Sequence, residues 1–292
     1  MKAYKFFGLR ENCFSPSPNP RYLSMTDQTN ACLFKCRFVI EERQGLAAII
    51  GKIGFGKTSV LRYLVDQYID DEAYKIAMLP NCNFPSEMQL AKAICEEFGL
   101  KRRRSLTSQL QELRDFAFES YMQGKNVILV IDEAQQLRGP QFDLLREILN
   151  YETNEAKVIQ IIIAGQPEIE LKLQTKPALV SRIILTSYLD TFTVEDMKMA
   201  LAHRLSLAGG TLQNILSDGA FGPLYIASRG VPRDIVKLVN SSMLLAAINQ
   251  TKPISPEIVE LAVAENLKQQ PEEDVNGSRT EKAAELRSSA AS

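Results

Sequence analysis

Residues 51–58 read Gly-Lys-Ile-Gly-Phe-Gly-Lys-Thr and follow directly on the apolar pentapeptide Leu46–Ile50. The pentapeptide has the length and composition of a buried strand. The residues after the loop, Thr58 to Tyr68, place Val60, Leu61, Leu64, Val65 and Tyr68 at helical spacing. A glycine-rich turn between a strand and a helix gathers backbone N–H groups at a helix N-terminus, which favours an anion. Side chains at 54 and 56 would block the close approach of a phosphate, and both positions are glycine. Gly51, Gly54, Phe55, Gly56, Lys57, Thr58 and Ser59 are therefore the expected cradle for ATP. Lys57 is expected to reach the β- and γ-phosphates, and the Thr58 hydroxyl to ligate Mg²⁺.

A second signal lies seventy-odd residues on. Val127–Ile131 reads as a buried strand, and it ends in Asp132-Glu133. Ligands of parallel sheets bind outside the C-terminal ends of the strands, so both carboxylates are delivered to one edge. Asp132 is expected to hold Mg²⁺ through water, and Glu133 to polarise the water that attacks the γ-phosphate. The next strand, Val158–Ala164, runs into Gly165-Gln166, where Gln166 is placed to sense that phosphate or orient the water. Arg182, ahead of Ile183-Ile184, and Arg233, in Gly230-Val-Pro-Arg, carry permanent charges suited to gripping phosphate oxygens. An intramolecular ion pair for Arg182 and a surface position for Arg233 are the alternatives.

Strand and helix patterns alternate from Leu46 to Ala164, with helices expected at 86–98, 105–121 and 140–151 and another strand at 74–79. This predicts an α/β fold with a mostly parallel sheet covered by helices on both faces. From about Thr193 helical periodicity takes over, at 194–208, 214–229, 232–248 and 255–267. The domain reading is an extended N-terminal arm at 1–25, an α/β domain at 26–191, a small all-α lid at 192–268 and a disordered tail at 269–292. The arm contains Pro16, Pro18 and Pro20, which argue against regular helix there. Lys plus Arg number 34 against 35 for Asp plus Glu, so net charge offers no global attraction to a polyanion or a membrane. The five cysteines are odd in number, and with no signal peptide at the N-terminus they suggest reduced thiols in a cytoplasmic protein. The single histidine, His203, lies far from any of them, which leaves no zinc pattern.

Several further motifs join these. Phe7-Gly-Leu-Arg-Glu-Asn-Cys-Phe14 with Pro18-Asn-Pro-Arg-Tyr-Leu23, Val-Ile-Asp132-Glu133-Ala-Gln135, Ala164-Gly-Gln-Pro-Glu168, Ser181-Arg-Ile183 and Gly230-Val-Pro-Arg233 accompany the glycine loop in a fixed order. Together they resemble the ExeA-type AAA+ ATPases, over about Tyr4 to Leu267. The resemblance implies an AAA+ P-loop domain with a helical lid, assembled side by side into a homo-oligomer, ring or helical filament, with nucleotide between neighbours. It implies Arg182 as the finger acting on the next subunit's ATP, Gln166 as the first sensor and Arg233 as the sensor arginine of the lid. The chain departs from the common pattern at Gln166, where many AAA+ proteins carry Asn.

That family divides. Secretion-type members continue into a membrane span and a wall-binding domain. The other branch resembles the TnsC and TniB regulators of transposition, including those of CRISPR-associated transposons, which polymerise on duplex DNA, recruit a transposase and mark the insertion site. A transposase and a target-selection protein are the partners implied. The lack of a membrane segment in the sequence favours the second branch. For DNA the expected surface is Lys101, Arg102, Arg103 and Arg104, with Thr107, Ser108 and Gln109 as short donors to phosphate oxygens. A filament would repeat this patch as a continuous basic track. A solvated charged face is the competing reading of the same run.

Overall fold

A computed structural model describes residues 2–268 of the chain, and the tail expected at 269–292 lies outside the described residues. After a one-turn helix α1 (Ala3–Phe6) and a 3-10 turn at Pro20–Tyr22, α2 (Asp27–Glu41) leads into β1 (Leu46–Ile50) and α3 (Lys57–Tyr68). The α/β alternation continues through β2 (Tyr74–Leu79), α4 (Glu87–Glu97), α5 (Leu106–Met122), β3 (Asn126–Ile131), α6 (Gly139–Ile148) and β4 (Ile159–Gly165). Two short helices, α7 (Glu168–Gln174) and α8 (Pro177–Val180), precede the last strand, β5 (Ile183–Tyr188). Side-chain oxygens of Thr26, Ser86 and Ser105 accept from backbone N–H groups three residues on and so start α2, α4 and α5.

The five strands form one sheet in the order β2-β3-β4-β1-β5, and every pairing is parallel. Strands β1, β3 and β4 are buried along their whole length, as expected when helices cover both faces. One face packs against α4, α5 and α6, including Leu90, Ile94, Leu113 and Phe142. The other packs against α2 and α3, including Leu33, Ile40, Leu61 and Leu64. The register sets Ile50 beside Gly165 and Ile131 beside Ile163, so the ends of β1, β3 and β4 open onto the same edge.

The lid follows as α9 (Val194–Ala208), α10 (Leu212–Ile215), α11 (Phe221–Ser228), α12 (Pro232–Ile248) and α13 (Pro256–Lys268). The helix expected at 214–229 is split. The chain breaks at Ser217-Asp218-Gly219, where Leu216 makes an isolated parallel bridge to Ile254, and helix resumes at Phe221. Pro223 falls in the first turn of α11, where its missing N–H costs nothing.

The arm is also corrected. It is not extended throughout: it holds a helical turn at Ala3–Phe6, upstream of the prolines, and it packs into the lid. Leu9, Cys13, Phe14 and Tyr22 are buried in one cluster with Met197, Leu201, Leu205 and Val239 of α9 and α12. The Arg10 N–H donates to Ala208 O at 2.9 Å, and Lys252 Nζ lies 4.2 Å from the centre of the Phe6 ring. On the other side, the Arg62 guanidinium of α3 donates to Pro18 O at 2.7 Å. The arm therefore touches both the lid and the helix that follows the glycine loop.

All five cysteines are buried free thiols. No helix among the described residues is long and apolar enough to cross a membrane.

Where the chain leaves the sheet and enters the lid, Phe192 N donates to Gly230 O at 2.8 Å. Gly230 has φ +71°, and a Cβ built there would lie 2.4 Å from Phe192 O. Gly230→Ala combines a left-handed backbone with a clash against a carbonyl, so it should destabilise the fold by about 2 kcal/mol or more. Thermal unfolding of the variant should show a midpoint several degrees below the parent; an unchanged midpoint would mean that this junction tolerates rearrangement.

Candidate nucleotide site

The glycine loop, the acidic pair after β3 and Gln166 after β4 meet at the C-terminal edge of the sheet, as the sequence predicts. They border a cavity of about 250 Å³ whose wall includes Gly54, Gly56, Lys57, Thr58, Glu133 and Gln166. Both inner glycines take positive φ, +85° at Gly54 and +94° at Gly56. Their demands differ. A Cβ at Gly54 would press on Val231 Cγ1 at 3.0 Å and Arg233 Cβ at 3.2 Å, whereas one at Gly56 would meet no protein atom within 4 Å. Gly56 thus keeps open the space that an incoming phosphate needs, and Gly54 lets the loop close against the lid.

Lys57 is 6% exposed. Its ammonium donates to Gly51 O at 2.6 Å and to Lys52 O at 3.1 Å, inside its own loop. Burial lowers its pKa, opposed by the nearby charges of Glu133 and Asp132, while Arg233 pushes it further down. With Lys57 and Arg233 close enough for their charges to repel, an anion between them would be welcome.

Thr58 Oγ1 donates to Asp132 Oδ2 at 2.6 Å, and Glu133 N donates to Asp132 Oδ1 at 2.8 Å. Asp132 is 2% exposed, and burial raises its carboxyl pKa against the pull of these two donors. A hydroxyl and a buried carboxylate at hydrogen-bond distance suit Mg²⁺, whose remaining positions would be filled by phosphate oxygens and water. When bound, the ion would neutralise charge on the β- and γ-phosphates. Among the described residues no group of three or more His, Cys, Asp or Glu side chains is arranged for a metal.

Glu133 sits in the left-handed region at φ +53° and is half-buried. That strained turn aims its carboxylate into the cavity instead of along the strand. Gln135 Nε2 donates to Glu133 Oε2 at 2.5 Å, Gln166 Nε2 lies 3.4 Å from the same oxygen, and Gln166 N donates to Gln135 Oε1 at 3.0 Å. Gln135 thus fixes the glutamate and the loop carrying Gln166 with one amide. Sequence reading assigned Gln135 no role; its place two residues after Glu133 was the available signal.

Phe55 and Ser59 border a second, smaller cavity of about 60 Å³ that shares Gly56, Arg204 and Val236 with the first. Its wall is largely apolar, with Leu23, Val60, Leu189, Leu201 and Ile235, and it suits a flat heterocycle. Arg233 is exposed at the rim of the larger cavity, and its backbone N–H donates to Gly54 O at 3.2 Å, joining lid to loop.

Two expectations sit elsewhere. Arg182 is half-buried at the N-terminal edge of the sheet, because the adjoining Ile183 pairs with Leu46. Four strand steps separate that level from Ile50, about 13 Å at ~3.3 Å per residue. Its guanidinium donates to Asn150 Oδ1 at 2.8 Å and to Ala178 O, so an amide and a carbonyl hold it in place of the ion pair considered above.

The basic run occupies the exposed loop between α4 and α5. Arg102 pairs with Glu96 and Arg103 with Glu112, so only Lys101 and Arg104 lack an ion-pair partner among the described residues. Thr107 is exposed, but Gln109 is buried and is no donor to an outside phosphate. Instead it staples the loop, accepting from Arg103 N at 2.7 Å and donating to Lys101 O at 3.1 Å. The acidic partners lie at positions 96 and 112, outside the run itself, and only the fold brings them to it.

Lys57→Ala should abolish ATP binding or nearly so. Glu133→Gln should keep binding and cut turnover by about 100-fold or more, as expected when a group acting on the attacking water is lost. Gln135→Ala should also keep binding, with a smaller loss of roughly tenfold from misplacement of Glu133. Nucleotide titrations and steady-state hydrolysis separate the three; parental turnover in Glu133→Gln would remove that residue from the chemistry.

Comparison with known proteins agrees with this geometry. Residues 40–173 match a family model described as "AAA domain". General secretion pathway protein A of Aeromonas hydrophila is 32% identical over 247 residues, covering 83% of this chain. The chain spans 44% of that relative's length. Among solved structures, Cdc6p from Pyrobaculum aerophilum aligns with a TM-score of 0.66 at 19% identity, over 87% of this chain and 70% of that one. The Aeropyrum pernix ORC1 protein in complex with DNA aligns with a TM-score of 0.63 at 16% identity, over 83% and 65%. These two likenesses are likenesses of fold. With the glycine loop, the bonded Thr58–Asp132 pair and Glu133 gathered at one sheet edge of that fold, the chain is a P-loop ATPase of the AAA+ type, similar to ExeA-type proteins.

Proposed function

We propose that the chain is an ATP-driven assembly switch of the ExeA type, in which bound nucleotide aligns copies side by side and Arg182 of one copy completes the site of the next. The observation that carries this reading is the position of Arg182. It lies at the sheet edge opposite its own glycine loop, outside the residues lining its own cavity, and partly exposed on two neutral acceptors. A guanidinium so placed is available to a neighbour and out of reach of its own ATP. Gln166 would sense the γ-phosphate through its contact with Glu133, and Arg233 would report it to the lid through the bond from its backbone to Gly54.

A secretion apparatus is the first reading of what the switch serves, supported by the 32% identity to General secretion pathway protein A. Regulation of DNA transposition is the second. In it the oligomer, ring or filament, forms on duplex DNA and recruits a transposase and a target-selection protein. Lys101 and Arg104 favour it, as exposed cations without an ion-pair partner among the described residues, beside the exposed Thr107. The pairing of Arg102 and Arg103 with carboxylates weakens it, since half the run is already neutralised.

Hydrolysis should fall off more steeply than protein concentration on dilution. Mixing Arg182→Ala with Lys57→Ala should recover activity, because one kind of interface then holds an intact loop and an intact arginine. A mixture that stays inactive, with co-assembly shown by crosslinking, would count against a role in trans.

The two readings separate on duplex DNA, measured with a slowly hydrolysed ATP analogue across a salt series. Counterion release predicts a loss of about 0.9 log unit of affinity per log unit of salt for each phosphate contact. Lys101→Ala with Arg104→Ala should then flatten that slope more than Arg102→Ala with Arg103→Ala. Parent protein that binds no DNA in any nucleotide state would remove the transposition reading and leave the trans-completed ATPase untouched.

A further inference from the structure

Arg204 on α9 lines both cavities at the nucleotide site, the one bordered by the glycine loop and the smaller apolar one. Its surroundings are unusual for an arginine. One guanidinium nitrogen donates to Cys13 O at 2.7 Å, and the group lies 5.2 Å from the centre of the Tyr22 ring. No carboxylate pairs with it among the described residues. An arginine has five N–H donors, and a mostly desolvated guanidinium without an anion is costly. Burial depresses its pKa, with only the Cys13 thiol and the Tyr22 phenol opposing.

The walls around it narrow what could satisfy it. Gly56 and Ser59, at the start of α3, border both cavities together with Arg204, whereas Glu133 and Gln166 line only the larger one. The smaller cavity is apolar apart from a few groups, one of which is the Ser24 hydroxyl, 5% exposed and without a hydrogen-bond partner. An anionic and sugar-bearing group at the mouth of an apolar slot matches the α-phosphate and ribose of a nucleotide whose base enters the slot.

We propose that Arg204 is a nucleotide-binding residue that grips the α-phosphate and ribose end of the ligand and, through the Cys13 carbonyl, couples occupancy of the site to the seating of the N-terminal arm. This rests on the glycine loop being the nucleotide site. The arm segment Ser15–Pro18 forms part of the same cavity wall, and Cys13 is buried in the lid core, so a shift of the guanidinium is felt on both sides of the arm. Arg233, by contrast, sits with the glycine loop at Gly54, and its side chain belongs to the triphosphate end.

The distinction is testable by varying the number of phosphates. Arg204→Gln should weaken Mg·ATP and Mg·ADP by the same factor, tenfold or more, because its contacts are common to both. Arg233→Gln should weaken ATP more than ADP. In the parent, either nucleotide should protect the Phe14–Pro20 segment from limited proteolysis, and in Arg204→Gln saturating nucleotide should no longer do so. Arg204→Lys keeps the charge and the bond to Cys13 but loses the planar fork, so it should retain the nucleotide-free melting temperature and still bind both nucleotides more weakly. Affinities within twofold of the parent in Arg204→Lys and Arg204→Gln would overturn the proposal. So would a loss confined to ATP, or weakened arm protection in the nucleotide-free state with parental affinity, which would mark Arg204 as a structural clamp only. Lys57→Ala is the control for the underlying site: nucleotide binding that survives it would fault the glycine-loop reading and not Arg204.

Discussion

The Lys57 ammonium is kept from water by the loop that it serves. Its bonds to Gly51 O and Lys52 O hold the loop curled, and burial and Arg233 both disfavour its charge. The loop is therefore shaped by its own cation, and a phosphate bound there would offer Lys57 a charged acceptor in place of two neutral ones. Everything else at the site is built around that exchange. The strand β1 brings the loop to the sheet edge, α3 begins at Lys57 with its first N–H groups at that edge, and Asp132 is bonded to Thr58 beside them.

The same loop is where the lid is fastened. Gly54 receives the Arg233 N–H and packs against Val231, so whatever moves the loop on binding moves the start of α12. The arm adds a second route, since it is buried in the lid through Leu9, Phe14 and Tyr22 and bonded to α3 through Arg62 and Pro18. Under the proposed reading, a γ-phosphate sensed at Glu133 and Gln166 would in this way bias the placement of a whole helical domain. That domain-scale response is the one an assembly switch requires.

The parts of this arrangement legible in the sequence were those governed by local pattern. The apolar runs at 46–50 and 127–131, the glycine spacing at 51–58 and the acidic pair at 132–133 each depend on near neighbours, and the folded positions agree with them. What could not be read depended on contacts between residues distant in the chain. The prolines of the arm signalled irregular backbone, but not that Leu9 and Phe14 would enter the lid core nearly two hundred residues away from Leu201 and Leu205. The charge run at 101–104 looked uniform until the fold set Glu96 and Glu112 beside it. Helical periodicity across 214–229 hid a break that Pro223 signals. A proline in the interior of a single helix would clash with the preceding turn, whereas it is tolerated in the first turn of α11, after the bridge of Leu216 to Ile254. Arg204 gave no signal at all, since a lone arginine in an amphipathic helix is ordinary until its neighbours prove to be a carbonyl and a ring.

The central claim is that the nucleotide site of this chain is finished by an arginine from a second copy. The most direct measurement is a structure of the assembled protein with Mg²⁺ and a slowly hydrolysed ATP analogue. The account predicts a triphosphate on Gly54–Thr58, with Lys57 Nζ transferred from the Gly51 and Lys52 carbonyls to phosphate oxygens. It also predicts that the guanidinium within hydrogen-bond reach of the terminal phosphate is Arg182 of the neighbouring copy. An assembled state in which no residue of another copy approaches that phosphate, or in which Arg182 of the same chain does so, would contradict it.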